Sequence, residues 1–227
     1  MAQRGRPKKQ ITPGINKDVE NLKPYIDAIV SNSFKYKSSI YIKYIECCNT
    51  ESDINQLLPY IFDIVSSIPE CRCVEFGVRI PTSTWAFLAA KPKRLVSYDI
   101  GRYPQVDEVE KLCFEEKQDF QFVLANVLEV EIEETDVLFT DTYHDYGQLK
   151  AELYKHANKV KHYIIGHDWE THKTRGEAWY PGVADFMHTG EGIERAVTEF
   201  LADNPNWDMH FETPINNGLF ILKRNEP

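Results

Sequence analysis

This chain lacks the marks of several protein classes. No apolar run approaches the roughly 20 residues a membrane-spanning helix needs, and the start carries no apolar signal core. Both absences lead us to expect a cytoplasmic protein. A positive charge balance is also missing: 26 Lys and Arg stand against 35 Asp and Glu, a net charge of −9. That disfavours sequence-independent binding of nucleic acid by the body of the molecule. The five cysteines (Cys47, Cys48, Cys71, Cys73, Cys113) have neither zinc spacing nor an even count, so we expect reduced thiols packed as small hydrophobes. There is no internal repeat. What remains is 227 residues, 42% of them hydrophobic, enough for one α/β domain with extensions.

Residues 1–15 differ from the rest. Arg4-Gly5-Arg6-Pro7-Lys8-Lys9 is basic, punctuated by Gly and Pro and without an apolar face, and is expected to be disordered alone. It resembles an AT-hook, whose Arg-Gly-Arg-Pro core lies in the narrow minor groove of A·T-rich DNA. Arginines suit that negative groove, and Gly5 has no side chain to strike its floor. A·T-rich DNA is thus one expected partner; the plainer reading is a solvated basic tail.

Residues 16–67 read as a helical extension, either a cover over the mouth of a site or plain helix packing against the body. Val19, Leu22, Tyr25, Ile26 and Ile29 follow helical spacing. A second helix is expected to open at Thr50-Glu51-Ser52-Asp53 and to carry Ile54, Leu57, Leu58, Ile61 and Ile64 on one face. Pro59 falls inside that pattern as a kink or break.

Residues 68–227 alternate. Strand signals fall at 72–77, 94–99, 119–124, 136–141 and 161–166, with helical signals at 82–90, 105–117 and 145–158. This predicts an α/β fold, a Rossmann-like, mostly parallel sheet. A helix at about 190–203 is followed by two last strands, 207–212 and 218–223, joined through Pro214-Ile215-Asn216-Asn217-Gly218. They make seven strands with an antiparallel finish.

In such sheets ligands lie beyond the carboxyl ends of the strands. Val74-Glu75-Phe76-Gly77 runs from a strand into a tight turn, and Leu95-Val96-Ser97-Tyr98-Asp99 ends a second strand on an acid about twenty residues later. Gly77 lets the backbone approach a ligand closely, and Asp99 can take both hydroxyls of a ribose. The G-x-G-x-x-G of dinucleotide sites is absent, because Pro81 and Thr82 occupy the later positions and would cradle a pyrophosphate poorly. S-adenosylmethionine carries no phosphate. The acid-x-Gly turn with an Asp ending the second strand resembles the class I methyltransferases; other Rossmann-like binders compete with that reading.

The fourth and fifth strands end at Asp141 and at His167-Asp168, so acids and histidines crowd the same edge. Asp141-Thr142-Tyr143-His144-Asp145-Tyr146, followed by Leu149 to Leu153, resembles the signature of a methyltransferase group that includes the so-called cephalosporin hydroxylases and the macrolide and rhamnosyl O-methyltransferases. The likeness covers about residues 50–224. It implies S-adenosylmethionine as cofactor, bound through Glu75, Gly77, Asp99, Ser83 (at the methionine carboxylate) and Asn126 (at the adenine). It implies catalysis by Asp141, His144 and His167, magnesium (Mg2+) on Asp141 and Asp168, and a sugar or other small-molecule hydroxyl as acceptor. The chain departs from the group where Pro81-Thr82-Ser83 replaces Gly-Gly-Ser, where Asn126 replaces an acid, and where His167 adds an imidazole to the metal ligands.

Plainer uses exist for each residue. Glu75 and Asp99 can cap helices, Asp141 can end a strand, His144 can pair with acids, and His167 can be a satisfied core histidine. Loop 169–188, with Trp169, His172, Trp179, Tyr180, Phe186 and His188, reads either as a lid over a ring-shaped substrate or as a strap pinned to the body. Two alternatives stand beside O-methylation: a methyltransferase tethered to DNA by the tail, and a non-catalytic module that keeps the fold. Against base methylation, no Asn/Asp-Pro-Pro-aromatic tetrapeptide follows strand four and no Pro-Cys nucleophile is present.

Overall fold

The computed structural model describes residues 38–181, 183–184 and 187–225. The expected helical stripe at 19–29, the basic stretch 4–9 and Phe186 lie outside the described residues. Ser38–Pro227 is a single compact unit, so helices and sheet belong together from Ser38 onward.

Helix α1 (Ser39–Asn49) is capped by the Ser38 hydroxyl, which accepts from the Tyr41 N–H at 3.1 Å and donates to Glu116 at 2.6 Å. Helix α2 (Leu58–Ser67) begins later than the apolar stripe predicts. Pro59 does not kink it; it lies in the first turn, where a missing N–H leaves no intrahelical bond unmade. Residues 52–57 form turns instead, because their polar groups bond outward: the Asp53 carbonyl accepts from Asn217, and the Gln56 N–H donates to the Asn216 side chain at 2.9 Å.

The alternating part forms as expected. Strand β1 (Arg72–Phe76) leads to α3 (Thr82–Ala89), β2 (Arg94–Asp99), α4 (Gln105–Glu116), β3 (Phe120–Leu124), β4 (Thr135–Thr140), α5 (Tyr146–His156) and β5 (Val160–His167). The four-residue helix α6 (Trp169–His172) interrupts the expected loop, and α7 (Ile193–Asp203), β6 (Trp207–Thr213) and β7 (Leu219–Arg224) complete the chain. The seven-stranded sheet has the order β3-β2-β1-β4-β5-β7-β6. The first five strands pair in parallel, and β7 runs antiparallel between β5 and β6.

β1 and β4 are buried on both faces, as the interior of a parallel sheet requires. Helix α3 is buried from Ser83 to Ala89, because the sheet lies under it and α1 and α2 pack over it. A helix covered all round has no polar face to keep. Register aligns the strand ends: Phe76 sits opposite Tyr98 and Thr140, and Thr140 opposite Gly166. The winding order of the strands reverses between the parallel neighbours β1 and β4, so the crevice of the sheet opens there. No helix among the described residues is long and apolar enough to cross a membrane, and all five cysteines are free.

Candidate active site

Gly77 ends β1 with φ +82°, and a Cβ there would lie 2.0 Å from the Asp141 carbonyl oxygen. Both the left-handed conformation and the contact demand glycine. The Gly77 N–H donates to the Tyr98 carbonyl and the Asp141 N–H to the Phe76 carbonyl, each at 2.9 Å. Strands β1, β2 and β4 are thereby clasped at one point.

Asp99 ends β2 half-buried. Its Oδ2 accepts from the Val78 and Arg79 N–H groups at 2.8 and 2.9 Å, and its Oδ1 from the Gly101 N–H at 2.8 Å. The residue expected to hold a ribose therefore also shapes the turn that faces it. Arg79 takes φ +40°, the left-handed region, within that turn.

Glu75 and Ser83 are placed inside the fold, not at its mouth. Glu75 is 0% exposed and accepts from the hydroxyls of Ser83 (2.6 Å), Thr84 (2.8 Å) and Ser97 (2.5 Å). Burial pushes its carboxyl up to about 7 against the pull of those three donors. Ser83 was expected to meet a methionine carboxylate, but its hydroxyl is committed to Glu75: with Pro81 as the N-cap residue, the first turn of α3 points this side chain into the core. Asn126 stands exposed just past β3, on the same edge as Asp99, where its Oδ1 accepts from the Leu128 N–H at 3.0 Å.

The expected acids and histidines do converge. His144 Nε2 lies 3.1 Å from Asp141 Oδ1 and 3.2 Å from Asp168 Oδ2, and its Nδ1 lies 3.2 Å from Glu177 Oε2. His167 Nδ1 lies 3.3 Å from the same Asp141 oxygen, and its Nε2 lies 3.2 Å from the Asp53 carbonyl. His172 stacks on His144 with ring centroids 5.1 Å apart. Burial opposes charge on His144, but hydrogen bonds to Asp141 and Glu177 outweigh it and push the imidazole up to about 10. His167 is raised for the same reason, chiefly by Asp141. Burial would raise Asp141, yet the two imidazoles hold its carboxyl well below the usual carboxylate range.

The donors of Asp141, His167 and Asp168, and those of His144, Asp168 and His172, lie within 4.8 Å of one another. Asp168 Oδ1 is buried without a partner among the described residues, an unsatisfied acceptor of the kind an ion or water completes. Two carboxylates mixed with imidazoles fit a divalent transition-metal ion, zinc by the imidazoles or manganese by the carboxylates. Magnesium prefers an all-oxygen shell, so this donor set does not support the magnesium expected from the sequence.

The loop after β5 is a strap in part and an open edge in part. Trp169 is buried against Phe220 and donates its indole N–H to Glu212. Asp145, fully buried at the start of α5, accepts from the N–H groups of Gly147, Thr189 and Gly190 and from the Thr189 hydroxyl. His188 Nδ1 lies 2.6 Å from the Tyr143 hydroxyl. Trp179 and Tyr180 remain 47% and 40% exposed, with Tyr180 edge-on to Tyr143. Glu177 was missed in the sequence: its N–H donates to the His144 carbonyl at 2.8 Å while its carboxylate takes both the His144 N–H and the ring. No periodicity marks it, because it lies in irregular loop far along the chain from His144. Glu152 was missed too. It is buried and accepts from Thr140, Thr142 and Gln148, and only its place on the α5 stripe, three residues after Leu149, hinted at an inward side chain.

The sheet order β3-β2-β1-β4-β5-β7-β6 is that of the class I methyltransferase fold. No family model matches the chain, and no curated protein matches it in sequence. Solved structures match in fold. A putative caffeoyl-CoA O-methyltransferase from Staphylococcus aureus superposes with TM-score 0.57 at 16% identity, covering 91% of this chain and 100% of that one. An O-methyltransferase from Bacillus cereus in complex with SAH gives 0.57 at 15% identity, covering 88% and 97%. The N-methyltransferase NodS from Bradyrhizobium japonicum in complex with S-adenosyl-L-homocysteine gives 0.53 at 13% identity, covering 79% and 90%. At these identities the likeness is one of fold.

Proposed function

We propose that this chain is an S-adenosylmethionine-dependent methyltransferase that methylates a hydroxyl of a sugar or other small molecule. One juxtaposition carries the reading: Asp99 and the Gly77 turn share an edge with the Asp141, His144, His167 and Asp168 cluster. The first pair suits a nucleoside, and the second suits an acceptor that must lose a proton. Neighbours in fold that carry SAH support the cofactor, and of the neighbours described above the Bacillus cereus protein is described as an O-methyltransferase and the Staphylococcus aureus protein as a putative one.

The reaction is an in-line displacement. A lone pair of the acceptor oxygen forms the O–CH3 bond as the S–CH3 bond breaks. The electron pair of that bond returns to sulfur, and S-adenosylhomocysteine leaves. The residues align oxygen and methyl, which supplies much of the rate. Asp141 and Asp168, with His167 or His144 beside them, would hold a divalent cation, whose chemistry is to lower the pKa of a bound hydroxyl. His144 faces Asp141, Asp168 and Glu177, whose hydrogen bonds and charge raise its imidazole above the usual range, so it can accept the acceptor's proton only once that negative charge is compensated.

The basic stretch 4–9 adds a second proposal, a tether to A·T-rich DNA that leaves the chemistry unchanged. The first test is isothermal titration of S-adenosylmethionine into wild type and Asp99→Ala, with and without manganese or magnesium. Micromolar binding that Asp99→Ala abolishes supports the cofactor, and absence of binding in every condition overturns it. A response to manganese and not to magnesium supports the cation reading.

A further inference from the structure

The turn after β1 has few groups to offer the amino-acid end of the proposed cofactor. The Val78 and Arg79 N–H groups are spent on Asp99. Pro81 has no N–H, the Thr82 N–H turns back onto the Ile80 carbonyl at 2.7 Å, and the Ser83 and Thr84 hydroxyls point inward to Glu75. Glu75 is itself sealed beneath them and cannot reach an ammonium at the mouth.

Two side chains on the outer side of the turn remain. The Arg79 guanidinium is 74% exposed, and among the described residues its ion-pair partner is Asp53, at 4.0 Å. That separation is too long for a hydrogen bond. The Asp53 carboxylate is 45% exposed. Both are anchored through their backbones, so their side chains face each other from fixed points. The Arg79 N–H is bonded to Asp99, and the Asp53 carbonyl accepts from the Asn217 N–H and lies 3.2 Å from His167 Nε2. Arg79 also holds φ +40° without being glycine, a backbone cost of the sort retained where a side chain must be aimed. An α-amino acid end is itself a carboxylate beside an ammonium. A guanidinium and a carboxylate set slightly apart are its complement, and the guanidinium fork matches a carboxylate in two bonds.

We infer that Arg79 and Asp53 form the receptor for the α-amino-carboxylate of the methionine moiety, Arg79 taking the carboxylate and Asp53 the ammonium. The inference rests on the cofactor reading above and names residues that the sequence pattern did not.

The test compares S-adenosylhomocysteine with 5′-methylthioadenosine, which keeps the nucleoside and lacks the amino-acid end. Titrations are run on wild type, Arg79→Met, Arg79→Lys and Asp53→Asn. Wild type should bind S-adenosylhomocysteine the more tightly. Arg79→Met and Asp53→Asn should each weaken S-adenosylhomocysteine about tenfold and leave 5′-methylthioadenosine unchanged, which also shows that the variants are folded. Arg79→Lys should recover part of the loss. Equal weakening of both ligands would mean that Arg79 only shapes the turn, and no weakening would mean that other donors hold the carboxylate; either result overturns the inference while the cofactor reading stands. Wild type that binds neither ligand overturns both.

Discussion

Glu75 makes the stability of this protein depend on pH in a direction unusual for a carboxylate. The folded state holds its proton more tightly than the unfolded chain does, because burial shifts the carboxyl from 4.5 to about 7 despite three hydroxyl donors. Below about pH 4.5 both states are protonated, and Glu75 costs nothing through ionisation. As the pH climbs to about 7 the unfolded chain ionises first, and stability falls. Above that the deficit is constant. A shift of about 2.5 units at 1.36 kcal/mol per unit gives about 3 kcal/mol. Glu75→Gln keeps the shape and cannot ionise, and the Ser83, Thr84 and Ser97 hydroxyls can rotate to accept from its amide. Urea unfolding of both proteins at pH 5, 6, 7 and 8 should therefore show the stability of wild type relative to the variant declining by about 2.5 kcal/mol across the range, the rest of the change lying outside that window. Other titrating groups cancel in the difference. Parallel curves would refute the reasoning, as would a decline of opposite sign.

Three further outcomes are expected. Gly77→Ala places a methyl group against the Asp141 carbonyl in a left-handed turn; it should cost more than about 2 kcal/mol in urea unfolding, and a neutral result would mean the turn is not clasped to β4. Asp145→Asn puts an amide among the Gly147, Thr189 and Gly190 N–H donors; amide hydrogen exchange in 187–190 should accelerate, with a stability loss of about 1–3 kcal/mol, and unchanged exchange would show that the loop is held elsewhere. Replacing Arg4 and Arg6 with Ala should weaken binding to an A·T-rich duplex in fluorescence anisotropy more than to a G·C-rich one. Equal or absent effects would reduce the stretch to a solvated tail.

What the sequence reveals and what it hides divide along one physical line. Strands β1, β4 and β5 are short apolar runs bounded by turns, and their period and spacing are visible without tertiary information. Parallel register then brings Gly77, Asp99, Asp141, His167 and Asp168 to one edge, because each sits at or just beyond the carboxyl end of its strand. Side-chain direction at helix starts is not visible in that way. Ser83 turns inward, and the helix whose apolar stripe reaches back to Ile54 begins only at Leu58, with Pro59 in its first turn. Contacts made by irregular segments are the least legible. Glu177 reaches His144 from a loop, and Asp53 reaches Arg79 and His167 from the turns before α2. These side chains follow no period, and their partners lie far along the chain. On the proposed reading the strand-end Asp99 meets the ribose of the cofactor and the loop pair Arg79 and Asp53 its amino-acid end, both of which are constant. The acceptor is the part that varies, and Tyr180 and Glu177, both from irregular loop beside the His144 cluster, are proposed to face it. Selectivity is therefore expected to sit in the half of the site that pattern reading cannot recover, and exchanging loop 176–181 should change which acceptor is used before it changes affinity for the cofactor.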